Sequence, residues 1–222
     1  MKIKNPLLYL LAFFWSFNLM SAQNILFIGN SIFTDKQIPD KVQEYFRGTE
    51  ILVDDISQDG FSLKWHFKTE KSLDALQSEI YGIWIVLGLD YKQELQWMKK
   101  LDSLRGHRNI KILILQPYSS YYPKAFRKPE IQKFKEVYNP LVKQFNSVHL
   151  IRFGEILDCY LDEFPGSELF YDNIHLNDET ADILLFTLMH FLLQLEEFDG
   201  LEIPFDVKIK PWNDCIFRFD TF

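Results

Sequence analysis

A serine just past an apolar run, and an aspartate three residues ahead of a histidine, are the side chains of this sequence best suited to nucleophilic chemistry. The serine is Ser31, closing Asn24-Ile25-Leu26-Phe27-Ile28-Gly29-Asn30-Ser31. The other two are Asp172 and His175, in Asp172-Asn173-Ile174-His175-Leu176-Asn177. A serine hydroxyl is a poor nucleophile until a base takes its proton, and the base works best when a third group orients it. At i and i+3 on a turn, a carboxylate can accept from one ring nitrogen of His175 and leave the other for Ser31. Gly29 lowers the steric cost of a tight turn before Ser31. A helix soon after would aim backbone N–H groups at a developing oxyanion. Alone, Gly-Asn-Ser also reads as a strand-to-loop turn, and Asp-x-x-His as a turn beside a helix cap. The combination is what points to chemistry, and no other stretch offers a comparable set.

These residues sit at opposite ends of an alternating pattern. Short runs rich in Ile, Val and Leu fall at 25–28, 51–56, 83–87, 110–115 and 148–153. Several are apolar throughout, as strands buried on both faces should be. Stretches with helical apolar spacing fall at 39–46, 63–80, 91–104, 131–145 and 177–195. Asn177 is placed to cap the last of them. Such alternation predicts an α/β fold: a flavodoxin-like parallel sheet of about five strands with helices on both faces, three layers in all. Ligands of such sheets bind beyond the C-terminal strand ends, which is where Ser31 falls.

Composition narrows the setting. The 222 residues, 47% hydrophobic and 25% charged, suit one globular domain with a sizeable core. A net charge of -7 and the lack of a Lys/Arg run give a nucleic-acid partner no support. The 21 phenylalanines read as a Phe-rich core. At the N-terminus, Lys2 and Lys4 precede an apolar stretch over 6–19 and the small residues Ser21 and Ala22. That is the pattern of a cleavable export signal over 1–22, with an uncleaved anchor as the alternative. The apolar stretch is shorter than the ~20 residues of a membrane span, and no membrane span is expected after cleavage. The expected location is periplasmic or extracellular. Cys159 and Cys215 are then either an oxidised pair or two separate buried thiols. Without CxxC or HExxH, a zinc site has little support. The main domain is expected over 23–199. The extension over 200–222, with Pro204, Pro211 and several aromatics, is expected to pack on it as an extended arm.

In order along the chain, these pieces resemble the blocks of the SGNH (GDSL-type) hydrolase family. Ile28-Gly29-Asn30-Ser31 matches the nucleophile block, and Asp172, His175 and Leu176 match the last block. Asp59-Gly60-Phe61-Ser62-Leu63 matches the second. The resemblance implies that the backbone N–H groups of Ser31 and Gly60 form the oxyanion hole. The third block departs from the pattern: Leu87-Gly88-Leu89-Asp90-Tyr91 puts Asp90 where the family has an oxyanion-donating Asn. An ionised Asp90 only accepts. It donates only when protonated, which burial favours. It is equally placed to cap the following helix. Losing one oxyanion donor costs roughly 2.7–4 kcal/mol in other enzymes. His66, six residues after Gly60, reads either as a substrate contact or as a helix histidine. Gln116-Pro117-Tyr118 either lines the pocket or makes a turn.

The resemblance implies an exported serine esterase acting on an O-acyl ester of a carbohydrate or a lipid, with no metal or organic cofactor. Its partner would be a small-molecule or glycan ester. The alternative is a catalytically weak or inactive ligand-binding relative, suggested by Asp90. Acyl transfer to a sugar acceptor would use the same three residues.

Overall fold

The computed structural model describes residues 24–87, 94–116, 124–172, 175–199, 201 and 213–219. The expected signal, Asp90, Pro117–Tyr118, Pro204 and Pro211 lie outside these residues. Five parallel strands form one sheet: β1 (Asn24–Ile28), β2 (Val53–Asp55), β3 (Tyr81–Leu87), β4 (Lys111–Leu115) and β5 (Val148–Ile151). Their order is β2-β1-β3-β4-β5, the flavodoxin-like order expected. In register, Leu26 faces Trp84, Trp84 faces Ile112, and Ile112 faces Val148.

Strand side chains alternate between the faces, so each apolar strand feeds two cores. Ile25, Phe27, Ile83, Ile85, Leu87, Leu113, Leu115 and Ile151 belong to one cluster. Leu26, Ile28, Trp84, Val86, Ile112, Ile114 and Val148 belong to the other. The first face is covered by α2 (Ile38–Tyr45), α7 (Phe153–Glu163) and α8 (Asp178–Leu192). The second is covered by α3 (Leu63–His66), α4 (Glu70–Gln77), α5 (Glu94–Arg105) and α6 (Lys124–Gln144). One further turn of helix, α1 (Ser31–Thr34), leads directly out of β1.

Four expectations need correction. The single helix over 63–80 is two, α3 and α4, because both short apolar faces address one core and periodicity alone does not separate them. The helix expected from residue 131 begins at Lys124 and runs through Pro129 and Pro140. Residue 153 ends no strand: it begins α7, whose Phe153, Ile156, Leu157 and Tyr160 are buried at helical spacing. The extension is not wholly an extended arm, since Asn213–Arg218 forms a short helix, α9. A disulfide between Cys159 and Cys215 fastens it to α7, with an Arg218–Glu163 ion pair at 2.8 Å beside it. Among the described residues, no helix is long and apolar enough to cross a membrane.

Candidate active site

The turn that carries Ser31, the candidate nucleophile, is built from the core outward. β1 ends at fully buried Ile28, and Gly29 follows. A Cβ on Gly29 would lie 2.4 Å from the Phe33 ring and 3.3 Å from Leu87 Cβ, so glycine is what lets β1 turn against its own next helix. Asn30 then caps α1, its Oδ1 accepting from Ile32 N–H at 3.0 Å. Ser31 is the first residue of α1, where a backbone N–H has no intrahelical acceptor and is available to an incoming oxyanion.

The loop after β2 is fastened to this turn. Gly29 C=O accepts from Gln58 N–H at 3.3 Å. Thr34 Oγ1 donates to Asp59 Oδ1 at 2.8 Å. Gly60 follows with a φ of 72°, in the left-handed region that favours glycine, and nothing within 4 Å would crowd a Cβ there. Glycine is therefore suited to this position by its left-handed backbone, not by a close approach.

The candidate base, His175, comes from the loop before α8. Phe170 and Leu176 bridge across it, and Tyr171 N–H donates to His175 C=O at 3.1 Å. Asn177 caps α8 as expected, accepting from Thr180 N–H at 2.8 Å. Asp172 grips His175 twice. One oxygen accepts from the His175 backbone N–H at 2.7 Å, and the other lies 2.6 Å from Nδ1. An ionised carboxylate only accepts, so Nδ1 carries the proton of that bond. Nε2 is then the basic nitrogen.

Ser31 and His175 line one cleft of about 500 Å³, together with Thr34, Asp35, Ser57, Gln58 and Asp59. The structure thus places Ser31 and His175, the candidate nucleophile and base, in one cleft beyond the C-terminal end of β1, with Asp172 bonded to His175. Gly60 is not one of the cleft-lining residues, although Asp59 beside it is. Asp90 lies outside the described residues. Among the cleft residues, Thr34, Asp35, Ser57 and Gln58 carry no motif, and only the Asp59-Gly60 block hinted that this loop belongs here.

His66 is not placed for substrate contact. It is 1% exposed, and both ring nitrogens are engaged: Nδ1 lies 3.2 Å from Ser72 Oγ and Nε2 2.9 Å from Gly29 C=O. Burial pushes its imidazolium below the ordinary histidine range, partly opposed by the Gly29 carbonyl and the Asp55 carboxylate. Asp55 is itself pushed up by burial, although it accepts from Ser57 N–H at 2.7 Å. Across the mouth of the cleft, Tyr171 stacks on His175 at 5.7 Å between centroids, and its hydroxyl donates to Asp35 at 3.1 Å. Lys36 pairs with Asp178 at 2.8 Å and lies 5.1 Å from the Tyr171 ring centroid.

Among the described residues, Cys159, Glu163 and Cys215 are grouped like metal ligands, but there the two sulfurs are bonded to each other.

No protein-family model and no curated protein sequence matches this chain. Solved structures do. A catalytic mutant of Axe2, an acetylxylan esterase from Geobacillus stearothermophilus, is 12% identical, with a TM-score of 0.61 over 82% of this chain and 98% of that one. The C-terminal catalytic domain of peptidoglycan O-acetyltransferase A from Streptococcus pneumoniae is 12% identical, with a TM-score of 0.54 over 78% and 93%. A GDSL-like lipase from Bacteroides thetaiotaomicron is 11% identical, with a TM-score of 0.50 over 77% and 88%. What these proteins share with this chain is the fold, that of the SGNH-type hydrolases.

Proposed function

We propose that this protein is an exported serine esterase that hydrolyses O-acyl esters. The observation that carries the reading is the pair of hydrogen bonds that His175 donates to Asp172, from its backbone N–H and from Nδ1, with His175 sharing a cleft with Ser31. In this reading His175 Nε2 takes the Ser31 proton as the hydroxyl attacks the ester carbonyl. Asp172 fixes the Nδ1–H tautomer and stabilises the imidazolium. The tetrahedral oxyanion is met by the N–H of Ser31 and by Gly60 N–H. His175 returns the proton to the leaving alcohol, and water repeats the sequence on the acyl-serine.

The cleft lining is polar, with Asp35 and Asp59 among its residues, which favours a small acyl group on a hydroxylated alcohol over a long apolar chain. The esterase and O-acetyltransferase names among the structural neighbours make acetylated glycans the first substrates to try. Export is supported by the disulfide, which oxidising compartments favour. The test is hydrolysis of 4-nitrophenyl acetate and of acetylated xylan. Wild-type turnover that disappears in Ser31→Ala supports the reading, and equal rates in the two proteins refute it.

Asp90 supports a second reading, ligand binding with little turnover. If Asp90 acts as an inhibitory replacement, Asp90→Asn raises kcat. An acetylated oligosaccharide that binds without turnover, with no gain in that variant, favours binding alone.

A further inference from the structure

Among the buried titratable side chains that the proposed mechanism does not use, His66 touches the backbone of the Ser31 turn. His66 is 1% exposed, and its two ring nitrogens face Ser72 Oγ and Gly29 C=O. A backbone carbonyl only accepts, so the nitrogen at 2.9 Å from it must carry the hydrogen. That fixes the Nε2–H tautomer and leaves Nδ1 to accept from the Ser72 hydroxyl. The same carbonyl receives Gln58 N–H at 3.3 Å. Two donors from the segment after β2 therefore converge on the peptide that precedes Asn30 and Ser31. One comes from the loop that carries Asp59 and Gly60, the other from the end of the helix that follows Gly60. Phe61 packs against the His66 ring at 5.4 Å and closes this arrangement from the Gly60 side.

We infer that His66 is a positioning residue: by donating Nε2–H to Gly29 C=O it holds the Ser31 turn and the Gly60 loop in one register, so that their two N–H groups address the same oxyanion. The ring touches no substrate. It acts through Gly29, on the geometry on which oxyanion stabilisation depends. Ser72 supports it by keeping Nδ1 an acceptor, as outer-shell partners fix histidine tautomers elsewhere.

The catalytic consequence rests on the esterase reading, whereas the structural one does not, and the experiment separates them. The full chain and the variants His66→Gln and His66→Leu are compared by ¹⁵N and ¹³C NMR and by ester hydrolysis. Glutamine keeps an N–H near the position of Nε2, and leucine removes it. In the wild type the imidazole ¹⁵N shifts should show a neutral ring protonated at Nε2. In His66→Leu the Gly29 carbonyl and the Ser31 and Gly60 amide signals should move, and His66→Gln should bring them back. On an ester the wild type hydrolyses, His66→Leu should lose kcat on the order of 10–100-fold with little change in KM, the scale of a small misplacement of reacting groups. His66→Gln should recover most of that loss.

A wild-type ring protonated at Nδ1 overturns the inference, and this holds even if the leucine variant fails to fold. Unmoved Ser31 and Gly60 amides, or an unchanged kcat in a folded His66→Leu, overturn it as well. An inert wild type whose amides nevertheless move in His66→Leu and return in His66→Gln sinks the esterase reading and leaves the positioning role standing.

Discussion

The two halves of the candidate site are held by different kinds of contact. Ser31 stands on a turn anchored in the core: Phe33 fills the space against Gly29, Phe27 meets Phe33 edge-on at 5.1 Å, and buried His66 grips the Gly29 carbonyl. His175 and Asp172 lie in an exposed loop before α8, with side chains 27% and 42% exposed. That loop and the first residue of α8 are tied to the Ser31 side by surface contacts, Tyr171 to Asp35 and Lys36 to Asp178. Core packing fixes a backbone strongly, because close-packed interiors relax only partly around a change. Exposed pairs contribute little and are screened by salt. The difference teaches that the Ser31 turn is preorganised by core packing, whereas the His175 side chain, although it follows a loop seated by buried Leu169 and precedes buried Leu176, is oriented mainly by Asp172.

The largest expected effect follows from that dependence. Asp172→Asn should lower kcat about 10³–10⁴-fold in steady-state ester hydrolysis, through loss of the correct His175 tautomer, while the protein stays folded. A small effect would mean that the surface contacts, not Asp172, orient the base. A contrasting change at residues that do not line the cleft is removal of the disulfide by replacing both Cys159 and Cys215 with Ser. It should lower stability in urea unfolding by about 4 kcal/mol, the chain-entropy scale for a loop of 56 residues, and leave reactivity at Ser31 nearly intact. If activity falls as steeply as stability, the site is less independent of the C-terminal helix than this comparison holds.

Gly29→Ala drives a methyl into the Phe33 ring and should cost about 1–3 kcal/mol of stability, with slower catalysis from a displaced Ser31. Normal stability with normal activity would show that the turn is not packed as described. At the exposed half, Lys36→Met should leave the urea unfolding midpoint almost unchanged, and any effect should shrink further in high salt. Acid should act on the buried half. His66 and His149 are both held below their ordinary range, mainly by burial, with nearby Lys111 adding to the effect at His149. The unfolded chain then binds protons that the native state refuses, so their contribution is complete above about pH 6.5 and is lost as pH falls through the lower native values. Urea unfolding at stepped pH should show stability falling on the acid side, with a shallower fall in His66→Gln.

Much of this was legible in the sequence because strand burial and motif order are local signals. Both-face apolar runs such as the one ending at Leu87 mark interior parallel strands, and the sheet order and the position of Ser31 follow from that alternation. Asn177 was legible as a cap because its partner, Thr180, lies one turn away. What escaped is non-local. His66 bonds a carbonyl 37 residues away, so nothing near it in sequence separates a positioning histidine from a substrate contact. The helix from Phe153 was hidden by Gly154 in its first turn and by an apolar start that continues β5. Tyr171 reaches Asp35 across 136 residues, beyond any periodicity. Cys159 and Cys215 were legible as a choice, and their pairing needed α7 and α9 to be packed together.

The most direct test of the central claim, that Ser31 is an activated nucleophile served by His175 and Asp172, is intact-mass analysis after fluorophosphonate treatment of the wild type, Ser31→Ala and Asp172→Asn. Such a probe reports an activated serine without the natural substrate. The expected result is a single adduct on Ser31 in the wild type, none in Ser31→Ala and strongly slowed labelling in Asp172→Asn. A folded wild-type protein that takes up no adduct, or one labelled equally in all three forms, contradicts it.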